Sequence, residues 1–142
     1  MHINLKKFFY CLLPISLLVS SCQNKTQKLI AKKWDCVQVE NLAPIDKSFN
    51  NPKDSAIAVQ TEAALKALSW TFSSNNTYQC SIGERTTIQG TYEITPDEKT
   101  LNLTSITKNS INSYLITSLS EFELTLTSTG TNVPLILHFR PH

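Results

Sequence analysis

The sequence predicts an all-β fold with one short helix, in which eight antiparallel strands close into a barrel. Three observations lead to this prediction: short segments in which apolar and polar residues alternate, turn-forming residues between them, and a single run of strong helix formers. A length of 142 residues with 41% hydrophobic residues fits one domain. Because one face of each strand is polar, we expect a single sheet with one wet face, whose closure removes exposed edges.

The first residues have the order of a bacterial secretory signal. Lys6 and Lys7 precede an apolar stretch over 8–19, which is shorter than the ~20 residues of a permanent membrane helix. The sequence Val-Ser-Ser-Cys at 19–22 resembles the bacterial lipobox. The resemblance implies cleavage before Cys22, thioether lipidation of its sulfur, and acylation of the new amino terminus by a fatty acid such as palmitate. The alternative is an ordinary secretory peptide with a cysteine nearby by chance.

Three segments are therefore expected: a signal peptide over 1–21, a lipidated cysteine with a polar tether over 22–29, and the barrel domain over 30–142. Gln23 stands where an inner-membrane retention signal has Asp, so we expect the outer membrane, at its periplasmic face. The membrane is then a partner through the lipid anchor. Removal of the two signal-peptide lysines leaves 11 basic against 11 acidic side chains, which does not favour nucleic acid as a partner.

Alternating segments follow one another along the domain. The expected strands contain residues 34–40, 70–72, 78–82, 88–94, 101–104, 114–119, 122–126 and 133–139. Ser-Ser-Asn-Asn at 73–76 and Pro-Asp-Glu-Lys at 96–99 supply turns. In the seventh strand, alternation places Phe122, Leu124 and Leu126 inside the barrel.

The helix is expected between the first two strands, after a long connection over 41–53. Asp54 or Ser55 can cap it, and residues 63–68 are strong helix formers. Four apolar residues could share one face and form a lid or plug across a barrel end: Ile57, Ala64, Leu65 and Leu68.

Short motifs along the domain stand in a recognisable order. They are Lys-Trp at 33–34, Trp-Thr-Phe-Ser-Ser-Asn-Asn-Thr-Tyr at 70–78, Gly-Thr-Tyr-Glu-Ile at 90–94, Asp-Glu-Lys-Thr-Leu at 97–101, Leu-Ile-Thr-Ser-Leu-Ser at 115–120, Glu-Leu-Thr-Leu at 123–126 and Leu-His-Phe at 137–139. Their order resembles the lipocalin-like lipoproteins of Gram-negative bacteria, over roughly residues 30 to 141. The resemblance implies an antiparallel calycin-type barrel and no established catalysis.

The resemblance also implies a structural contact at the closed end of the barrel. In the wider group, an Arg from near the last strand covers the first-strand Trp. Arg140 has the matching place here, so the resemblance predicts that it stacks on Trp34. Lipocalins usually have Gly two residues before this Trp, whereas this chain has Lys32, so the chain entry is expected to differ.

Two cysteines remain in the domain after Cys11 leaves with the signal and Cys22 takes lipid. An even pair in an oxidising compartment can form a disulfide. However, Cys36 lies on the first expected strand and Cys80 on the third, which a flat sheet separates by roughly 9–10 Å. A disulfide needs Cα atoms within about 7 Å, so a bridge and two buried free thiols both stay open.

Histidines and carboxylates give no catalytic or metal pattern. His138 and His142 have no second pair of ligands beside them, so we expect neither a metal site nor a cofactor. No nucleophile-elbow motif is present, and the acidic residues fall mostly on turns or on the polar strand faces. The sequence predicts a protein that is not an enzyme.

Aromatic residues are the remaining candidates for binding. Five share the parity of the barrel interior: Trp70, Phe72, Tyr78, Tyr92 and Phe139. They would either line a cavity for a small, largely apolar ligand or fill the interior as a packed core. The leading hypothesis is a lipid-anchored, periplasm-facing carrier. The alternatives are an interaction module, such as a hydrolase inhibitor that acts through loops, and a structural envelope lipoprotein. The sequence names no protein partner.

Overall fold

The computed structural model describes residues 25–42 and 52–142, with side chains in the second range from residue 56 onward. Cys22 and the signal segment therefore lie outside the described residues. The elements within them are α1 (Lys25–Ile30), β1 (Lys33–Glu40), α2 (Pro52–Lys66), β2 (Leu68–Phe72), β3 (Thr77–Ile82), β4 (Arg85–Ile94), β5 (Thr100–Ser105), β6 (Ser110–Leu119), β7 (Leu124–Ser128) and β8 (Ile136–Pro141). Neither of these helices has the length and apolar content needed to cross a membrane.

The eight strands form a closed barrel in sequence order, which confirms the predicted fold. Each strand pairs antiparallel with the next, and β8 returns to pair with β1. At this β1–β8 seam, Trp34 lies opposite Pro141 and Asp35 opposite Arg140. Closure satisfies the backbone groups that an open sheet would leave at its edges.

Alternation of apolar and polar residues, interrupted by bulges in β1, β4 and β6, builds the core. Inward side chains of successive strands meet along the barrel axis, whereas their neighbours face solvent. The buried apolar residues are Ile30, Trp34, Cys36, Trp70, Phe72, Tyr78, Cys80, Tyr92, Leu101, Leu103, Leu124, Leu126, Leu137 and Phe139.

Helix α1 closes one end of the barrel, together with the β2–β3, β4–β5 and β6–β7 turns; this is the α1 end. Ile30 is fully buried there, and its carbonyl accepts a hydrogen bond from Trp34 Nε1 at 2.9 Å. The Thr26 hydroxyl donates to Glu98 Oε2 at 2.6 Å, and the Gln27 amide donates to Asn76 Oδ1. These bonds attach α1 to two of the turns. Residues 25–29 of the predicted tether segment thus lie in helix α1.

Helix α2 and the β3–β4, β5–β6 and β7–β8 connections form the opposite, α2 end. The helix begins at Pro52, whose fixed φ suits the first helical turn, so the predicted start at Asp54 or Ser55 is wrong. Leu68 belongs to β2 rather than to the helix. Ile57 is exposed and Leu65 is half-buried, so the single apolar helix face that the sequence predicted is only partly used.

Two strand boundaries also differ from the predicted ones. Phe122 lies in the β6–β7 turn with 76% of its surface exposed, and not inside the barrel. Ser120 causes this, because its hydroxyl accepts hydrogen bonds from the backbone N–H groups of Phe122 and Glu123 and holds a turn there. Val133 precedes β8, which begins at Ile136.

Gly90 marks a close approach between strands β3, β4 and β5. A Cβ atom at this position would lie 1.9 Å from the carbonyl oxygen of Thr104 and 2.9 Å from Tyr78 Cε1. Glycine therefore leaves room for the Tyr78 ring to pack directly against the β4 backbone.

Candidate functional site

The five aromatic residues predicted to bind ligand all point into the barrel, where they pack against one another. Ring centroids are 5.3 Å apart for Trp70 and Phe139, 6.2 Å for Trp70 and Phe72, and 5.2 Å for Phe72 and Tyr92. Tyr78 stacks on Phe72 at 6.3 Å. All five are at most 7% exposed. This geometry corresponds to a packed core, the second of the two arrangements that the sequence allowed.

The tyrosine hydroxyls of this cluster have partners within the protein. The Tyr92 hydroxyl donates to the carbonyl oxygen of Ser73 at 2.9 Å. Burial raises the pKa of Tyr78 above its ordinary value, although a hydrogen bond with Ser105 opposes the rise. Both groups therefore act as neutral structural hydroxyls.

An apolar cleft of about 550 Å³ lies at the α2 end, between α2 and the β7–β8 connection. It is lined by three segments, the chain directly after β1, α2, and the end of β7 with its connection to β8; the lining residues are Asn41, Leu42, Thr61, Leu65, Ser128, Thr131, Asn132, Val133 and Leu135. We call it the α2-end cleft. It is the candidate binding site, because its wall is predominantly apolar and carries a few polar groups.

Local geometry positions the wall of the α2-end cleft. Thr61 and Leu65 are four residues apart on α2, so they share one helix face. On the other side, Ser128 N–H donates to the Leu135 carbonyl and Leu135 N–H to the Ser128 hydroxyl, both at 2.8 Å. The chain leaves β1 through Asn41 at φ 56°, a left-handed conformation that Asn tolerates better than most residues. Two of the three contributing segments are thus fixed by hydrogen bonds or helix geometry.

Two histidine networks lie on the outer wall along the β1–β8 seam. His138 Nε2 is 2.9 Å from Glu40 Oε1, and its Nδ1 is 3.2 Å from Thr125 Oγ1. His142 Nδ1 is 2.7 Å from Asp35 Oδ2, while its Nε2 is 3.1 Å from Lys33 Nζ. Each network joins a residue of β1 to a residue in or directly after β8, so both hold the seam together.

Asp35 has a lowered pKa within the second network. Partial burial acts to raise it, but the hydrogen bonds from Ser69 and His142 and the nearby charges of His142 and Lys33 outweigh that effect. The Ser69 hydroxyl donates to Asp35 Oδ1 at 2.6 Å. Within 25–42 and 52–142, no three His, Cys, Asp or Glu side chains come together as metal ligands.

Cys36 and Cys80 are both buried free thiols, which decides between the two alternatives. The register gives the reason. Cys80 lies opposite Trp70, and Trp70 lies opposite Trp34. Cys36 is therefore separated from Cys80 by two strand spacings and, in addition, by the two residues between it and Trp34 along β1. Two strand spacings alone are about 9.5 Å, beyond the reach of a disulfide. Burial raises the pKa of Cys36 to about 11 and that of Cys80 to about 12, so both stay protonated near neutral pH.

The predicted stacking of Arg140 on Trp34 is wrong. Arg140 is exposed and lies opposite Asp35, on the outer face of the sheet, whereas Trp34 points inward. The cation over the Trp34 ring is Lys32, with Nζ 5.2 Å from the ring centroid. Lys32 Nζ also donates to the carbonyl oxygen of Glu121 at 3.3 Å. Lys32 therefore provides the cation over Trp34 that the resemblance predicted to come from Arg140.

Sequence reasoning missed the α2-end cleft and the two networks. The sequence pattern predicts Leu65 in a helix lid and Val133 in the last strand, and these two positions do not indicate a cleft between them. For the networks the sequence held only part of the signal. His138 and His142 are four apart, a spacing that shares one face of a strand, whereas the β1 carboxylates at 35 and 40 are five apart and share a face only because of the bulge between Cys36 and Gln38. The pairing of β1 with β8 was needed to connect them.

Comparison with known proteins shows that this chain shares its fold with a solved structure. No protein-family model matches the chain, and no curated protein matches it significantly. Among solved structures, it is similar to the crystal structure of a duf4847 family protein from Bacteroides vulgatus ATCC 8482. The two share 17% sequence identity with a TM-score of 0.53, over 82% of this chain and 96% of the other. At this identity the likeness shows the fold alone.

Proposed function

We propose that this protein is a lipid-anchored, periplasm-facing, lipocalin-like barrel that binds a small, largely apolar molecule without catalysis or a cofactor. The α2-end cleft carries the proposal, because its volume of about 550 Å³ lies within the range of small-molecule sites, roughly 300–1,000 Å³. The site differs from the one predicted from sequence. The interior aromatics are packed against each other, so the ligand is placed at the barrel end.

The anchor part of the proposal is supported by the amino-terminal sequence. A positive start, an apolar stretch and Val-Ser-Ser-Cys at 19–22 occur in the order of a lipoprotein signal. Several acyl chains at Cys22 would hold the protein on the outer membrane far more firmly than a single chain.

Ligand uptake can be tested with N-phenyl-1-naphthylamine as a fluorescent probe and palmitate as a competitor. We expect saturable probe binding to the mature protein, and a loss of at least tenfold in affinity for Leu65→Gln. Ala63→Gln, on the exposed side of the same helix turn, is the matched control and should bind as the unchanged protein does. Native mass spectrometry before and after denaturing extraction would identify a co-purified ligand. Absence of both a bound molecule and probe uptake would refute the carrier function.

A second candidate, an interaction module such as a hydrolase inhibitor, is favoured by two observations. The barrel interior is filled, and two isoleucines of the β5–β6 hairpin, Ile106 in the turn and Ile111 in β6, are each 72% exposed. Inhibition assays with a panel of periplasmic and host hydrolases would test it. For this function, Ile111→Glu should relieve inhibition whereas Leu65→Gln should not.

A further inference from the structure

The distance between the anchoring cysteine and the folded barrel is short. Cys22 precedes Lys25, the first residue of α1, by three positions. A fully extended chain advances at most about 3.6 Å per residue, so the two Cα atoms lie within roughly 11 Å. A lipid on Cys22 is therefore held close to α1.

Helix α1 cannot swing away from the barrel without breaking buried contacts. Ile30 is fully buried, its carbonyl accepts the Trp34 indole N–H, and Lys32 O accepts the backbone N–H of Phe72 at 3.1 Å. Thr26 and Gln27 hold the start of the helix to the β4–β5 and β2–β3 turns. The anchor position is thus fixed relative to the α1 end.

The opposite end lies beyond the reach of the anchor. Strand β4 has 10 residues, which at about 3.3 Å per residue and a tilt of roughly 40° gives a barrel about 25 Å tall. The lipid cannot bring the α2 end and the α1 end to the bilayer at the same time.

An exposed aromatic residue stands at the α1 end. Phe122 is 76% exposed, more than the other large apolar residues of the described ranges, and Ser120 holds its turn in place. Lys32 Nζ connects this turn to the chain directly after α1. Phe side chains on a membrane-facing surface insert at the boundary between headgroups and acyl chains.

Charge at this end is mixed. Lys25 and Lys28 are exposed on α1 and suit phosphate headgroups, whereas Asp97, Glu121 and Glu123 lie on the neighbouring turns. Net charge therefore does not set the orientation; the anchor and Phe122 do.

We propose that the barrel stands on a phospholipid surface with its α1 end, inserts Phe122 at the interface, and opens the α2-end cleft away from the bilayer. This inference rests on the lipidation of Cys22 in the proposed function. It adds the orientation: ligand would be exchanged with the aqueous side and not directly with the membrane that carries the anchor.

The test uses the full lipoprotein in vesicles of phosphatidylethanolamine and phosphatidylglycerol that contain a headgroup-labelled nitroxide lipid. An environment-sensitive fluorophore is placed on Phe122→Cys and, as the matched control, on Ile111→Cys at the α2 end. The two sites are 76% and 72% exposed, so neither substitution opens the core. Cys36 and Cys80 are buried, and labelling of the unchanged protein measures their background. We expect quenching and a blue shift at 122, with at least twofold less quenching at 111.

Equal quenching at both sites, stronger quenching at 111, or none at either site would overturn the orientation. Mass spectrometry of the same preparation separates this result from failure of the anchor. If the mature chain carries no acyl groups at Cys22, the anchor of the proposed function fails and the orientation fails with it. If the acyl groups are present and the quenching pattern is wrong, only the orientation is refuted. Far-UV circular dichroism checks that both labelled proteins fold.

Discussion

The two ends of this barrel are closed in different ways. At the α1 end, a helix of six residues buries Ile30 completely. The carbonyl oxygen of Ile30 accepts a hydrogen bond from the Trp34 indole N–H and so fixes the position of that ring. At the α2 end, a helix of 15 residues leaves Ile57 and Val59 exposed and borders an apolar cleft. The shorter helix therefore covers its barrel end more completely, because its side chain at Ile30 enters the core whereas two apolar side chains of the longer helix stay exposed.

The helices also differ in what stabilises them. Contacts with the barrel hold α1, which is too short to be stable alone. In contrast, α2 has local support, since Lys66 Nζ pairs with Glu62 at 2.7 Å, four residues earlier on the same helix face. The α1 end is thus held by tertiary contacts, whereas α2 also has a stabilising pair within its own last turns.

The largest effect on this comparison is expected from truncation at the α1 end. Trp34→Ala removes a fully buried side chain and one of the two hydrogen bonds that the Ile30 carbonyl accepts, the other coming from the Lys32 N–H. We expect the free energy of unfolding to fall by about 3–5 kcal/mol. Leu65→Ala, which removes a half-buried side chain at the α2-end cleft, should cost about 1 kcal/mol or less. Urea denaturation of both variants measures the difference. Equal losses would show that the two ends are closed to the same degree.

A smaller loss of stability is expected at the close approach of β4 and β5 around Gly90. Gly90→Ala places a Cβ atom against the Thr104 carbonyl, which belongs to the backbone and cannot rotate away. Separation of β4 from β5 should cost about 1–3 kcal/mol, measured by thermal or urea unfolding. Gly83→Asn is the control, because φ +57° suits Asn and no atom lies within 4 Å of the added Cβ. A Gly90→Ala variant as stable as the control would contradict the close approach.

The smallest effect concerns the Asp35–His142 network at the α1 end. Since the pKa of Asp35 is lowered in the folded state, its contribution is present above the ordinary value of 3.8 and is lost as the pH falls through the folded value. Asp35→Asn should therefore lower the free energy of unfolding at pH 7. The difference in that free energy between the variant and the unchanged protein should become progressively smaller below pH 3.8. The side chain is 38% exposed, so screening limits the loss to less than about 1 kcal/mol.

The pH dependence of unfolding for Asp35→Asn, followed by fluorescence in urea, checks this expectation. Glu121→Gln alters an exposed carboxylate of the same end and should stay within about 0.5 kcal/mol of the unchanged protein. A constant difference between Asp35→Asn and the unchanged protein from pH 7 to pH 2.5 would exclude ionisation of Asp35 as its cause.

Alternation in the sequence predicted the barrel well, because Trp70 and Phe72, or Leu101 and Leu103, must share a face in any paired strand. It failed at Phe122, where hydrogen bonds to the Ser120 hydroxyl take precedence over the apolar pattern. It also could not separate a lined cavity from a packed core, since that depends on how rings such as Trp70 and Phe139 meet in space. The candidate site was missed because Leu42, Leu65 and Leu135 converge only through tertiary structure.

The β1–β8 seam has a consequence for how this chain reaches its native state. Asp35 and His142 meet across 107 positions of sequence, so the barrel cannot close until β8 has been synthesised. Until then β1 can pair only with β2, and its other edge stays open to unwanted strand pairing. Contacts of such long range make folding slow, and slow folding lengthens the time during which edges attract other chains. The step at greatest risk of aggregation is therefore the joining of the first strand to the eighth.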